Sequence, residues 1–177
     1  MKTLYLFPTS FEAAPFRAQH PSAAVVEIGV GMAAAAANTA RAIVEHKPQR
    51  VVLCGIAGAF DEGVKVGEVV EVVSDRVAGL PTLFDKIYSQ PARTALRAVH
   101  SLTVSRTGDG VGFVADSVPT IEQMEGASVA AVAEAFGVEY CHLRAISNRV
   151  SDERKAWRIG EAISALCSAL ETIFEEN

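Results

Sequence analysis

Residues 120–148 read TIEQMEGASVAAVAEAFGVEYCHLRAISN. This stretch predicts a short approach into Glu125, a helix from about Ala127 to Phe136, a turn at Gly137 and a buried strand over 139–146 that ends on Ser147 and Asn148. Val129, Val132, Ala133 and Phe136 recur at helical spacing, and glycine is the usual residue at a helix stop. Two polar side chains bracket the unit. Glu125 stands beside a helix start and Asn148 at the carboxyl end of a strand, where open α/β sheets place their ligands. A carboxylate can hold two neighbouring sugar hydroxyls, and an amide both donates and accepts toward a heterocycle edge. Each also has a plain structural reading, Glu125 as a charge at a helix N-terminus and Asn148 as a turn residue.

Composition narrows the class. The chain has 177 residues, half of them hydrophobic and 21% charged, enough for one domain with a substantial core. A net charge of −5 gives no electrostatic footprint for nucleic acid, and no apolar run approaches a membrane span. Cys54, Cys141 and Cys167 lie in apolar surroundings without metal-ligand spacing. They read as buried reduced thiols, which points to the cytoplasm, and no metal or cofactor is expected. His20, His46, His100 and His142 share no spacing that suggests a triad or a metal, and read as surface or structural residues.

Outward from the central unit, residues 2–7 form an apolar strand stopped by Pro8. Thr9 or Ser10 can cap a first helix that carries Glu12, whose plain reading is a solvated charge. Residues 23–28 form a second strand, leading through Gly29-Val30-Gly31 into a helix over 32–46 with alanine at 33 to 37. Residues 50–54 are an apolar run, as in strands buried on both faces. A loop, Gly55-Ile56-Ala57-Gly58-Ala59, is expected next, open enough for a flat ligand to approach the backbone. A strand over 68–73, an irregular stretch to 91, the end of a short helix near 96–100 and a strand over 101–105 complete the middle. Ser151-Asp152-Glu153 read as the start of a terminal helix whose apolar stripe includes Trp157, Ile163, Leu166 and Leu170. Strands alternating with helices argue a three-layer α/β/α domain with a mixed, mainly parallel sheet, spanning residues 1–177.

Gly29-Val30-Gly31-Met32-Ala33-Ala34 satisfies a dinucleotide fingerprint, but that motif needs an acid at the end of the next strand. Here the next strand ends Cys54-Gly55-Ile56-Ala57, which argues against a dinucleotide. What survives is a glycine turn at a helix N-terminus, whose N–H groups face something polar or anionic.

Three blocks together resemble the nucleoside phosphorylase and nucleosidase superfamily: Gly29-Val30-Gly31-Met32; Cys54-Gly55-Ile56-Ala57-Gly58 with Val66-Gly67-Glu68-Val69-Val70; and Met124-Glu125-Gly126-Ala127 with Arg144-Ala145-Ile146-Ser147-Asn148. The run from Ile146 to Ile159 is most similar to the futalosine hydrolases of menaquinone biosynthesis, with the methylthioadenosine/S-adenosylhomocysteine nucleosidases close to it. The resemblance implies hydrolysis of a purine nucleoside by a homo-oligomer, dimer or higher. It implies that Glu125 and the backbone of Met124 hold the ribose hydroxyls, that Asn148 contacts N7 of the base, and that Glu12 activates water. Gly29, Val30 and Gly31 would face the nucleophile. Gly55, Ile56, Ala57, Gly58 and Gln123 would wall the base. The segments between Val73 and Ser101 and between Thr107 and Glu125 are shorter than usual in the superfamily, leaving Phe113 or the 107–112 loop as candidates for base stacking. A phosphorylase would need cations around its phosphate, for which Arg17 and Arg41 are the candidates.

Overall fold

The strand β3 (Arg50–Ala59) is the axis of the molecule. It has a polar residue at its start and none after, so it is stable where both faces are covered. The computed structural model describes residues 1–60, 62–114 and 118–174. Around β3 stand β1 (Thr3–Phe7), α1 (Ser10–Gln19), β2 (Ala24–Glu27), α2 (Met32–His46), β4 (Val69–Val77), β5 (Tyr88–Ser89), β6 (Arg97–Thr103), β7 (Thr120–Gln123), α3 (Gly126–Phe136), β8 (Glu139–Arg149) and α4 (Ile159–Phe174). No helix among the described residues is long and apolar enough to cross a membrane.

β2, β1, β3 and β8 lie side by side and parallel. On one face, α1 and α4 bury Phe16, Ala162, Leu166 and Leu170 against Tyr5, Phe7, Val52 and Leu143. On the other, α2 and α3 bury Ala35, Ile43, Val129 and Ala133 against Leu4, Leu6, Val51 and Leu53. Fully burying an aliphatic side chain of this kind contributes roughly 1.5–3 kcal/mol, so these two faces hold the three layers together. The expected architecture is present. Gly137 stops α3 in the left-handed region, at φ +64°, and the Thr9 hydroxyl caps α1 by accepting the Glu12 N–H at 3.2 Å.

The sheet also closes on itself. β8 pairs antiparallel with β4, β4 parallel with β6, β6 parallel with β7, and β7 antiparallel with the end of β3. With β3 and β8 already paired, five strands make a ring. Side chains alternate along each strand, so one end of the ring is filled by Ala57, Val70, Val72, Val99, Ile121 and Ile146. Further along the same faces come Ser101, Thr103, Gln123, His142 and Arg144, all buried. A register shift in β4 between Val72 and Ser74 brings Asp75 opposite Ser101.

Several local expectations change. Residues 55–59 are not a loop but the second half of β3, paired along its length with β8. Their small side chains reflect what lies over them: a Cβ on Gly55 would overlap Arg144 Nη1. Residues 97–103 form strand β6, with no helix end, and 120–123 form β7. β8 runs past Ser147 and Asn148 to Arg149. Residues 151–153 begin no helix. A single 3-10 turn over Arg154–Ala156 precedes α4, which starts at Ile159.

Candidate active site

A cavity of about 480 Å³ opens where α1, α3, β3 and β8 converge. Glu12, Val30, Ile56, Ala57, Gly58, Gln123, Met124, Glu125 and Asn148 all line it. Gly29, Gly31 and Gly55 stand outside this lining. Gly29, at φ +83°, lets the turn sit against Ala34, where a Cβ would come within 2.9 Å.

Glu125 is buried at the start of α3, and both of its oxygens have partners. Oε1 accepts the Gly31 N–H at 3.0 Å and Oε2 the Arg144 Nη2–H at 3.1 Å. The glycine turn at the head of α2 therefore meets an anion from this chain, a side chain well placed against a helix N-terminus. Gln123 supports the arrangement from below. Its Oε1 accepts the N–H groups of Glu125 and Gly126 at 2.7 and 2.6 Å and Arg144 Nη2–H at 3.1 Å.

Glu12 is not a solvated charge. It is 7% exposed, its Oε1 accepts the Ile56 N–H at 3.1 Å and its Oε2 the Thr9 hydroxyl at 2.6 Å. Burial pushes its carboxyl above the usual range; the Thr9 hydroxyl, the Arg144 charge and the Ile56 N–H oppose this in part, and the Glu125 charge adds to it. A carboxylate raised in this way is a better proton acceptor near neutral pH.

Asn148 owes its aim to a bulge. Ala57 pairs with Ile146 and Gly58 with Asn148, so Ser147 is an extra residue in β8, and such insertions re-aim the side chain that follows. Asn148 Oδ1 accepts the Ser147 hydroxyl at 2.7 Å and Nδ2 donates to Arg149 O at 2.7 Å. One amide hydrogen and one acceptor position remain for a ligand.

Sequence reading missed the role of Arg144. This 1% exposed residue donates to Glu125, Gln123, Ile56 O at 3.1 Å and His142 Nε2 at 2.8 Å. Its signal was a lone charge inside an apolar strand, a place where charges are almost never found unpaired. Glu122 was missed too. Buried in the cavity wall, it accepts the Gly108 N–H at 2.6 Å and so ties down the loop between β6 and β7; burial raises its carboxyl. Thr107 lines the cavity, whereas Phe113 does not. Trp157 lines it as well, with Arg154 stacked 4.3 Å over its ring. Arg17 and Arg41 are elsewhere, paired at the surface with Glu27 and Glu45. The three cysteines are buried and free, and no group of metal-ligating side chains occurs among the described residues.

Comparison with known proteins identifies the family and the fold. Residues 10–94 match the phosphorylase superfamily. The futalosine hydrolase of Streptomyces coelicolor is 35% identical, the match covering 80% of this chain and 74% of that protein. The futalosine hydrolase of Thermus thermophilus is 30% identical, covering 98% of this chain and 96% of that protein. The structure of 5'-methylthioadenosine nucleosidase from Arabidopsis thaliana has the same fold, with a TM-score of 0.88 at 17% identity over 98% of this chain and 94% of that one. By fold and by these two relatives, the chain belongs to the phosphorylase superfamily, in the family of the futalosine hydrolases.

Proposed function

We propose that this chain hydrolyses the N-glycosidic bond of a purine nucleoside, a futalosine-like substrate from which hypoxanthine leaves. The observation that carries this reading is that Glu12, Glu125 and Asn148 open into one cavity while its buried cation, Arg144, is already engaged by Glu125. Cleavage passes through an oxocarbenium-like sugar, which a nearby anion stabilises. Glu125 and the Met124 backbone hold the ribose hydroxyls. Glu12 takes a proton from the water that attacks C1′ as the C1′–N9 bond breaks, and the departing base, which leaves with the bonding pair, takes its proton from solvent. Asn148 donates its free amide hydrogen toward N7 and O6, two adjacent acceptors on that edge of a 6-oxopurine, where adenine sets an amino donor beside N7. Ile56, Ala57, Gly58 and Gln123 wall the base, and the Gly29–Gly31 turn borders the nucleophile's side. With Arg17 and Arg41 at the surface, water is favoured over phosphate as the nucleophile.

The same reading makes residues 1–177 one domain of a cytoplasmic, homo-oligomeric enzyme of menaquinone biosynthesis, needing no metal or cofactor and engaging neither nucleic acid nor membrane. A methylthioadenosine/S-adenosylhomocysteine nucleosidase is the second reading, favoured by the shared fold. The test is release of free base from futalosine, inosine and methylthioadenosine, with and without phosphate. Hypoxanthine released without phosphate is the expected result. Adenine alone selects the second reading, phosphate dependence selects a phosphorylase, and binding without base release leaves a nucleoside-binding protein.

A further inference from the structure

Beneath the cavity, the polar end of the strand ring holds side chains that the proposed hydrolysis does not itself use. His142 is fully buried. Its Nε2 accepts the Arg144 Nε–H at 2.8 Å. The ring therefore carries its proton on Nδ1, which has no hydrogen-bond partner among the described residues and lies 3.8 Å from Asp75 Oδ2. A buried donor left without a partner calls for an explanation.

We infer that His142 is a positioning residue for the sugar-binding carboxylate: it fixes the plane of the Arg144 guanidinium, and through it the Glu125 carboxylate. The inference rests on the reading of Glu125 as the ribose ligand. A guanidinium is a rigid planar fork. Two corners of this one reach Ile56 O, Gln123 Oε1 and Glu125 Oε2, and the third, Nε–H, has His142 as its acceptor. A carboxylate at 142 would also accept that hydrogen, but it would compete with Glu125 for the positive charge. A neutral imidazole holds the fork and leaves the charge to Glu125. Burial, and then the neighbouring Arg144 charge, keep this imidazole unprotonated. Asp75 completes the support: it accepts Gln123 Nε2–H at 3.0 Å, so the Gln123 oxygen faces Arg144 and the N–H groups of α3.

The test reads ribose recognition independently of turnover. Trp157 is the sole tryptophan of the chain and lines the cavity, so its fluorescence reports binding of inosine and of 2′-deoxyinosine. Wild type is expected to prefer inosine. In His142→Leu that preference falls about tenfold or more, while 2′-deoxyinosine binding changes less than about threefold. In His142→Gln, whose amide oxygen can accept the Arg144 hydrogen, most of the preference returns. A His142→Leu protein that keeps the full preference, or weakens both nucleosides equally, overturns the inference, as does a wild type without preference. A ribose preference that obeys this pattern without base release removes the hydrolysis reading and leaves the inference standing.

Discussion

Replacing Asn148 by aspartate exchanges an amide hydrogen donor for an oxygen at a fixed place. Nδ2 lies 2.7 Å from Arg149 O, so the variant sets two oxygens against each other at that separation. The side chain is 1% exposed, and the Gly58 backbone lies close beneath it, since a Cβ there would come 3.0 Å from Nδ2. Rotating away is therefore obstructed, and protonation is the remaining relief. A folded-state rise of about two pKa units above the usual ~3.9 corresponds to about 2.7 kcal/mol. The sign follows from linkage. A raised carboxyl keeps its proton in the folded state where the unfolded chain has released it, so stability is intact below pH ~4 and falls as pH rises through about 6. At roughly 2–4 °C per kcal/mol for a chain of this size, Asn148→Asp should melt near wild type at pH 4 and about 5–10 °C lower at pH 8. The protonated carboxyl can also donate to N7 of adenine, so the hypoxanthine-to-adenine release ratio should fall. Calorimetry across this pH range and base-release assays measure both. A melting difference that does not change with pH, together with an unchanged base ratio, would refute the placement of Asn148 against Arg149 O and the purine.

Arg144→Leu leaves Glu125 buried without its cation and should cost about 3–5 kcal/mol in urea unfolding, the usual penalty for removing one partner of a buried pair. The acid limb of kcat/KM should lie above the ordinary glutamate value of 4.5, with activity lost as pH falls, because the buried Glu12 must be ionised to accept a proton. Glu12→Gln should reduce kcat by about 10²–10⁴-fold, the usual range for a general base, and a pH profile of the two proteins checks both statements. Gly126→Ala sets a methyl against Asp75 Oδ2 and within 2.7 Å of Gln123 Nε2. Overpacking of about 1–3 kcal/mol should lower its melting temperature at every pH, with a larger proportional loss in ribose preference than in base preference.

The sequence by itself determined the layers and the ends of the layers. Apolar runs at 2–7 and 50–54 need two covered faces, α2 matches its alanine-rich run from Met32 to His46, and Gly137 could stop a helix because it tolerates positive φ. Those are local properties, set by neighbours a few residues apart. Glu125, Asn148 and the glycine turn could be singled out because each was read beside an element's end, and Glu125, Asn148 and Val30 do line one cavity. Closure of the ring was not legible. It depends on β7 pairing antiparallel with the last residues of β3 and on a register shift in β4, contacts between segments far apart in the chain. Gly55-Ile56-Ala57-Gly58-Ala59 are a strand because β8 pairs with them along their length and β7 joins at Gly58 and Ala59, hydrogen bonds that local propensity does not anticipate. Only tertiary structure could assign Arg144, whose value lies in four acceptors on three other segments and its own strand, and only there does a buried histidine gain a task. A side chain's partners across the fold, unlike its helical or strand period, leave no spacing in the sequence to read.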